Sequence, residues 1–215
     1  QRTSPFSTFR GLNRYNGHEF HQYYRTDDES SLPDNQLNSV FKDSKNRMWV
    51  TSVNGPAYYT DQDNFHRVQM KNLSSNNGTQ FVENSKGKIF LNLVNSFAIF
   101  NEEEDAFTNE ILRNDLNDSY TMKLYIDKQD RLWEACGWSI KNYDSNTLAP
   151  GDSIHLDQYM SISCMQDENI WMYGNGTFLI FNTTTKSFLP VPKCITGNAM
   201  LKTSTVDCIY PTSEN

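Results

Sequence analysis

Apolar and polar positions alternate along this chain in short segments of strand length, and no stretch carries the 3.6-residue spacing of an amphipathic helix. Residues 37–69 are the clearest case. Leu37–Lys42, Arg47–Ser52, Ala57–Thr60 and Phe65–Gln69 are apolar-bearing runs, separated by Asp43-Ser-Lys-Asn46, Asn54-Gly55 and Asp61-Gln-Asp-Asn64. Asp and Asn side chains accept hydrogen bonds from nearby backbone N–H groups, and Asn, Asp and Gly tolerate positive φ, so these joins read as tight turns between four strands.

The same order recurs. Asp43-Ser-Lys-Asn-Arg-Met-Trp49, Asn84-Ser-Lys-Gly-Lys-Ile-Phe90 and Asp127-Lys-Gln-Asp-Arg-Leu-Trp133 align without gaps, and Asp167-Glu-Asn-Ile-Trp171 aligns with two residues fewer across the turn. The aromatic anchors at 49, 90, 133 and 171 are spaced by 41, 43 and 38 residues, and a second aromatic marker, at Tyr59, Phe100, Tyr143 and Phe181, repeats the same three steps. Four strands in each unit of about forty residues is the period of a β-propeller blade. The predicted fold is therefore all-β, a β-propeller of four-stranded antiparallel blades. It occupies residues 1–215 as a single propeller region, with blades at about 37–70, 79–110, 121–150 and 160–191.

The ends supply half-units. Residues 6–25, with Gly11-Leu-Asn-Arg-Tyr15-Asn-Gly17, match the second half of a repeat, and residues 204–215, Val206 to Asn215, match the first. Either the two halves pair to close a five-bladed ring, or the chain is a fragment of a larger propeller whose remaining blades, or a second protomer, cover its sheet edges.

Composition agrees with this architecture and removes several function classes. The chain has 215 residues, 26 acidic and 19 basic, for a net charge of −7, and 13% are aromatic. An acidic chain without basic runs does not suit nucleic acid. Apolar runs such as Ile89-Phe90-Leu91 are too short to span a membrane. No charged start followed by an apolar stretch marks a secretory leader. Cys136, Cys164, Cys194 and Cys208 lack C-x-x-C spacing, and His18, His21, His66 and His155 are scattered, so no metal site and no cofactor is predicted. No phosphate loop, Gly-x-Ser-x-Gly or His-Glu-x-x-His motif occurs, and no catalytic residue is assigned.

The run Asn38-Ser-Val-Phe-Lys-Asp-Ser-Lys-Asn-Arg-Met-Trp-Val-Thr-Ser-Val-Asn-Gly55 resembles the two-component regulator propeller repeat, and Gly11-Leu-Asn-Arg-Tyr-Asn-Gly-His-Glu-Phe20 resembles the Gly-Leu-x-x-Tyr-Asp end of that repeat. Departures are Phe90 for Trp, Asn95-Ser-Phe97 for the Gly-Leu element, and Glu134-Ala-Cys-Gly-Trp138 in the third unit. The resemblance implies the periplasmic sensor region of a Bacteroides-type hybrid two-component system. In that family such repeats form seven-bladed propellers, the histidine kinase lies elsewhere in the protein, and the signal is typically an oligosaccharide. It thus implies a non-enzymatic ligand-sensing module with an oligosaccharide as candidate partner. The alternatives are a propeller-fold polysaccharide lyase or glycosidase, or a protein-interaction propeller.

Asp43, Asp127 and Asp167 read as hairpin closers rather than catalytic acids, Trp49, Trp133 and Trp171 as packing between blades, and Glu102-Glu-Glu-Asp105 as a solvated turn. Trp138 stands where the repeat normally has a small aliphatic residue; it reads either as a sugar-stacking ring or as a side chain buried under an adjacent loop. With it, the connections between strands two and three and those between blades supply the candidate ligand-binding set: Asn54, Asn95, Trp138, Tyr173 and Asn175, with Arg25, Arg113 and His155. Amides both donate and accept, which suits hydroxyl-rich ligands.

Overall fold

A computed structural model describes residues 4–8, 10–112 and 123–197. The chain divides between residues 121 and 122 into two compact units.

In the first unit, β1 (Ser4–Thr8), β2 (Gly11–Tyr15) and β3 (Phe20–Tyr23) form a three-stranded sheet. The half-repeat predicted here therefore carries one strand more than its two-strand pattern. The next sheet is β4 (Leu37–Lys42), β5 (Met48–Ser52), β6 (Gly55–Tyr59) and β7 (Phe65–Arg67), antiparallel in chain order. The last predicted strand, Phe65–Gln69, ends at Arg67 instead. The backbone N–H of Val68 bonds to the Pro56 carbonyl at 3.0 Å, and β8 (Gln69–Met70) pairs in parallel with the outer strand of the following sheet. That sheet is β9 (Gly78–Glu83), β10 (Ile89–Leu93), β11 (Ser96–Asn101) and β12 (Ala106–Leu112), with β8 as its fifth strand.

The second unit holds two four-stranded antiparallel sheets. They are β13 (Leu124–Ile126), β14 (Arg131–Cys136), β15 (Ser139–Asp144) and β16 (Pro150–His155), then β17 (Ser161–Gln166), β18 (Asn169–Gly174), β19 (Thr177–Asn182) and β20 (Ser187–Leu189). A single helical turn, α1 (Lys193–Thr196), follows. The fold is all-β, of β-propeller type, with four-stranded antiparallel blades. Arg113 and the half-repeat 204–215 lie outside the described residues. No helix among the described residues is long and apolar enough to cross a membrane.

Strand β10 is covered on both faces, every one of its residues being buried, which explains its weak period-2 signal. Leu12, Leu32, Leu37, Val50, Ala57 and Phe65 fill the space between the first two sheets, and Trp49, Phe81, Leu91, Phe100 and Phe107 that between the second and third. In the second unit Trp133, Ile140, Ile162, Met172 and Phe181 do the same.

The repeated hairpin has a specific chemistry. Asp43 has a fully buried carboxylate that accepts from the Trp49 indole Nε1–H at 2.9 Å, from Arg47 Nε at 2.6 Å and from the Arg47 backbone N–H at 2.8 Å. Asp127 repeats this with Trp133 Nε1 at 2.7 Å, Arg131 Nε at 2.7 Å and the backbone N–H groups of Gln129 and Arg131. The guanidinium in each case lies over the indole, at 5.1 Å for Arg47 and 5.2 Å for Arg131, and reaches the next sheet. Arg47 donates to both oxygens of Glu102, and Arg131 Nη2 to the Thr183 carbonyl at 2.7 Å; each acceptor follows the third strand of its sheet. Glu102 is therefore part of the contact between sheets, not merely the solvated turn the sequence suggested.

The other two units differ in step with their sequences. Asn84 accepts from the backbone of Lys86 and Lys88, and its partner aromatic, Phe90, has no N–H to offer. Asp167 is 72% exposed at φ 53°, because the shortened turn turns it outward toward Lys128. Trp171 is correspondingly only partly buried, short of the core position expected from the repeat.

A second capping position sits directly after the second aromatic marker. The side-chain oxygens of Asn16, Asn101, Asp144 and Asn182 each accept from two backbone N–H groups two and three residues on, closing the last hairpin of the sheet, between β2 and β3 for Asn16 and between the third and fourth strands for the others.

Four stability outcomes follow from these geometries. Asp127→Ala leaves an indole N–H and a guanidinium without their buried acceptor, so denaturant unfolding should show a loss of about 3 kcal/mol or more. Trp133→Phe, losing only the N–H bond and some area, should cost less, and Asp167→Ala should fall within about 0.5 kcal/mol of the parent. Glu102 is held below the usual carboxylate range chiefly by its hydrogen bonds from Arg47, and then by Lys45. Its contribution is thus present above the unfolded value near 4.5 and is lost as pH falls through the lower folded value. Glu102→Gln should destabilise at pH 7, with the difference from the parent disappearing once pH lies below the lowered folded value.

Candidate functional site

Four of the predicted site residues share one structural position, the two-residue turn between the second and third strands of a sheet. In the first unit these are Asn54, between Ser52 and Gly55 of paired β5 and β6, and Asn95, exposed between β10 and β11. In the second unit they are Trp138, between Cys136 and Ser139, and Asn175, between Gly174 and Thr177.

Equal position does not mean equal chemistry. Asn54 Nδ2 donates to Asp34 Oδ2 at 2.6 Å, and Arg25 Nη1 approaches the same carboxylate at 4.0 Å. These two predicted residues are thus brought together, but around an internal acid that fastens the loop preceding β4. Asn175 and Gly176 have φ of 50° and 74°, the paired positive values of a type I′ turn, so Asn is selected there by its backbone conformation.

Trp138 is the outlier. It follows Gly137, whose φ of 55° lets the chain turn, and its side chain is 51% exposed rather than buried under a loop. Tyr159 stands edge-on to it, with ring centroids 6.4 Å apart. The segment carrying Tyr159 is tied to the turn by Leu156 N–H to the Trp138 carbonyl and Met160 N–H to the Gly137 carbonyl, each at 2.8 Å. A Cβ on Gly137 would meet the Tyr159 ring at 2.6 Å, and one on Gly174 the Tyr159 carbonyl at 2.0 Å, so both glycines are required by the close approach of this residue.

His155 pairs with Ser139, beside the same turn, and with Leu156, Asp157, Gln158, Leu179 and Phe188 it lines a cavity of about 160 Å³. Tyr173, on β18, faces Ser161 across the strand pair and packs on Phe178 with centroids 4.8 Å apart. The second unit therefore gathers Trp138, His155 and Tyr159 at one sheet end, with Tyr173 and Asn175 on the neighbouring hairpin. Tyr159 escaped the sequence reading because it belongs to no repeat marker; Gly137 and Gly174 were its indirect signal. Arg113 falls outside the described residues.

Among the described residues no group of three His, Cys, Asp or Glu side chains is placed to hold a metal. The titration shifts lie elsewhere. Tyr23 and Tyr59 are raised, first by burial, in a cluster with Arg14 and Asp63, and Asp63 is lowered by accepting from both hydroxyls.

No protein-family model and no curated protein sequence matches the chain. Solved structures do. The extracellular domain of a protein assigned to a hybrid two-component system of B. thetaiotaomicron superposes with a TM-score of 0.68 at 19% identity, covering 87% of this chain and 28% of that one. PorZ, a surface component of the type-IX secretion system of Porphyromonas gingivalis, gives 0.64 at 14% identity, over 87% of this chain and 32% of that one. A gluconolactonase from Xanthomonas campestris gives 0.55 at 12% identity, over 80% and 64%. This chain spans less than a third of the length of the first two. What it shares with all three is a fold, the all-β propeller architecture, found in the extracellular domain of a protein assigned to a hybrid two-component system and in other proteins besides.

Proposed function

We propose that the chain is a ligand-recognising part of an extracytoplasmic sensor propeller, of the kind found in hybrid two-component systems, and that its ligand is an oligosaccharide. The observation carrying this reading is the exposed Trp138, with Tyr159 edge-on and His155 beside it, at a turn where the other blades carry Asn or Gly. An exposed indole presents a flat apolar face to the C–H edge of a sugar ring, and neighbouring donors and acceptors suit its hydroxyls. Support also comes from the fold shared with extracellular domains of such systems. In this account the remaining blades or a second protomer complete the propeller, a kinase outside this chain receives the signal, and the module lies in the periplasm. Binding signals only if the ligand prefers one arrangement of the module and its neighbours over another.

A catalytic reading is favoured by one finding, the fold shared with a gluconolactonase. The two are separated by screening the chain in calorimetry and thermal shift against an oligosaccharide panel, together with a lactone-hydrolysis assay. Binding without turnover, weakened about tenfold in Trp138→Ala, is the expected result. Lactone turnover, or glycan binding indifferent to Trp138→Ala, would sink this assignment.

A further inference from the structure

A second concavity, in the first unit, has a chemistry unlike that of the Trp138 site. Arg14 of β2, Val40, Phe41 and Lys42 of β4, Asn46 of the following turn, Met48 of β5 and Tyr59 of β6 line a cavity of about 370 Å³ between the first two sheets. That volume lies in the range of small-molecule sites.

Its polar equipment is lopsided. Arg14 Nη1 donates to the Tyr59 hydroxyl at 2.5 Å and lies 3.5 Å from Asp63, while the guanidinium stacks over the Tyr23 and Tyr59 rings at 5.7 and 5.3 Å. The group is thereby held in one orientation with one nitrogen occupied. Its Nε is buried without a hydrogen-bond partner, and Nη2 has none among the described residues. These two N–H groups form the side-on fork that matches the two oxygens of a carboxylate. Lys42, exposed and without an ion pair among the described residues, adds a second positive charge, and no acid is among the described residues that line the cavity. The Tyr59 hydroxyl is already taken by Arg14, Tyr23 and Asp63, leaving Asn46 as the sole side-chain amide among the described lining residues. The Val40 and Met48 side chains supply the remaining wall, Phe41 bordering it only through the strand, since its ring packs on Phe81 across the other face of β4. Unspent donors, scarce acceptors and an apolar wall do not suit a sugar, whose hydroxyls need both kinds of partner.

We propose that this cavity binds an organic carboxylate with an apolar body, its two oxygens on Nε and Nη2 of Arg14, its charge also facing Lys42, and its body against Val40 and Met48. The site is independent of the glycan reading, which rests on the second unit.

The test uses 3-phenylpropionate as probe and 3-phenylpropan-1-ol as its uncharged counterpart, by calorimetry on the full chain. The acid should bind at least tenfold more tightly than the alcohol, and more weakly as salt rises. Arg14→Gln should weaken the acid at least tenfold and bring it level with the alcohol. Should that variant not fold, Met48→Trp keeps Arg14 and fills the cavity, and should abolish binding of both probes; Lys42→Gln should weaken the acid alone. Equal binding of acid and alcohol, no binding of the acid up to its solubility limit, or unchanged acid binding in Met48→Trp would overturn the proposal.

Discussion

A carboxylate withdrawn from water is costly unless its oxygens are saturated with donors, and the blades are organised around how that requirement is met. At Asp43 and Asp127 a single buried side chain accepts from the backbone that closes the hairpin, from the indole that fills the space beside the sheet, and from a guanidinium that reaches the next sheet. Turn closure, core packing and sheet-to-sheet contact are therefore one interaction. None can be altered without disturbing the others, and this coupling fixes where the neighbouring sheet's third hairpin must lie in each unit.

The variation among blades obeys the same physics. Where the aromatic is Phe90, with no N–H, the turn carries Asn84 and Lys88 in place of Asp and Arg. Where the turn loses two residues, Asp167 swings into solvent and Trp171 is only partly buried. The Asx caps at Asn16, Asn101, Asp144 and Asn182 are the more uniform device, because they act within one hairpin and depend on no partner from the next sheet.

Much of this was legible in the residues. Strand β4 matches its predicted limits, and the spacing of the aromatic markers located the hairpins, because turn chemistry and a buried ring are local requirements written into adjacent positions. The donor set of Asp43 was not legible, since an acid in a turn reads as a turn former whether or not an indole bonds to it. Strand β8 escaped too: its pairing with β12 is decided by a sheet more than thirty residues onward. Of the candidate site, Trp138 stood out as a misfit in the repeat and proved exposed, whereas the amides of Asn54 and Asn175 serve loop fastening and backbone conformation. Tyr159 and the open edge of Arg14 arise from packing between sheets, which no local pattern encodes.

The claim that a buried carboxylate clasps the indoles of Trp49 and Trp133 has a direct readout in the indole protons themselves. Hydrogen exchange followed by NMR at the Trp Nε1–H groups should show those of Trp49 and Trp133 strongly protected, and both should become fast-exchanging when Asp43 and Asp127, respectively, are replaced by Ala. The Trp138 indole, half exposed, should exchange quickly throughout. If the Trp49 and Trp133 protons exchange as fast as that of Trp138 in the parent protein, the clasp is not what holds the blades.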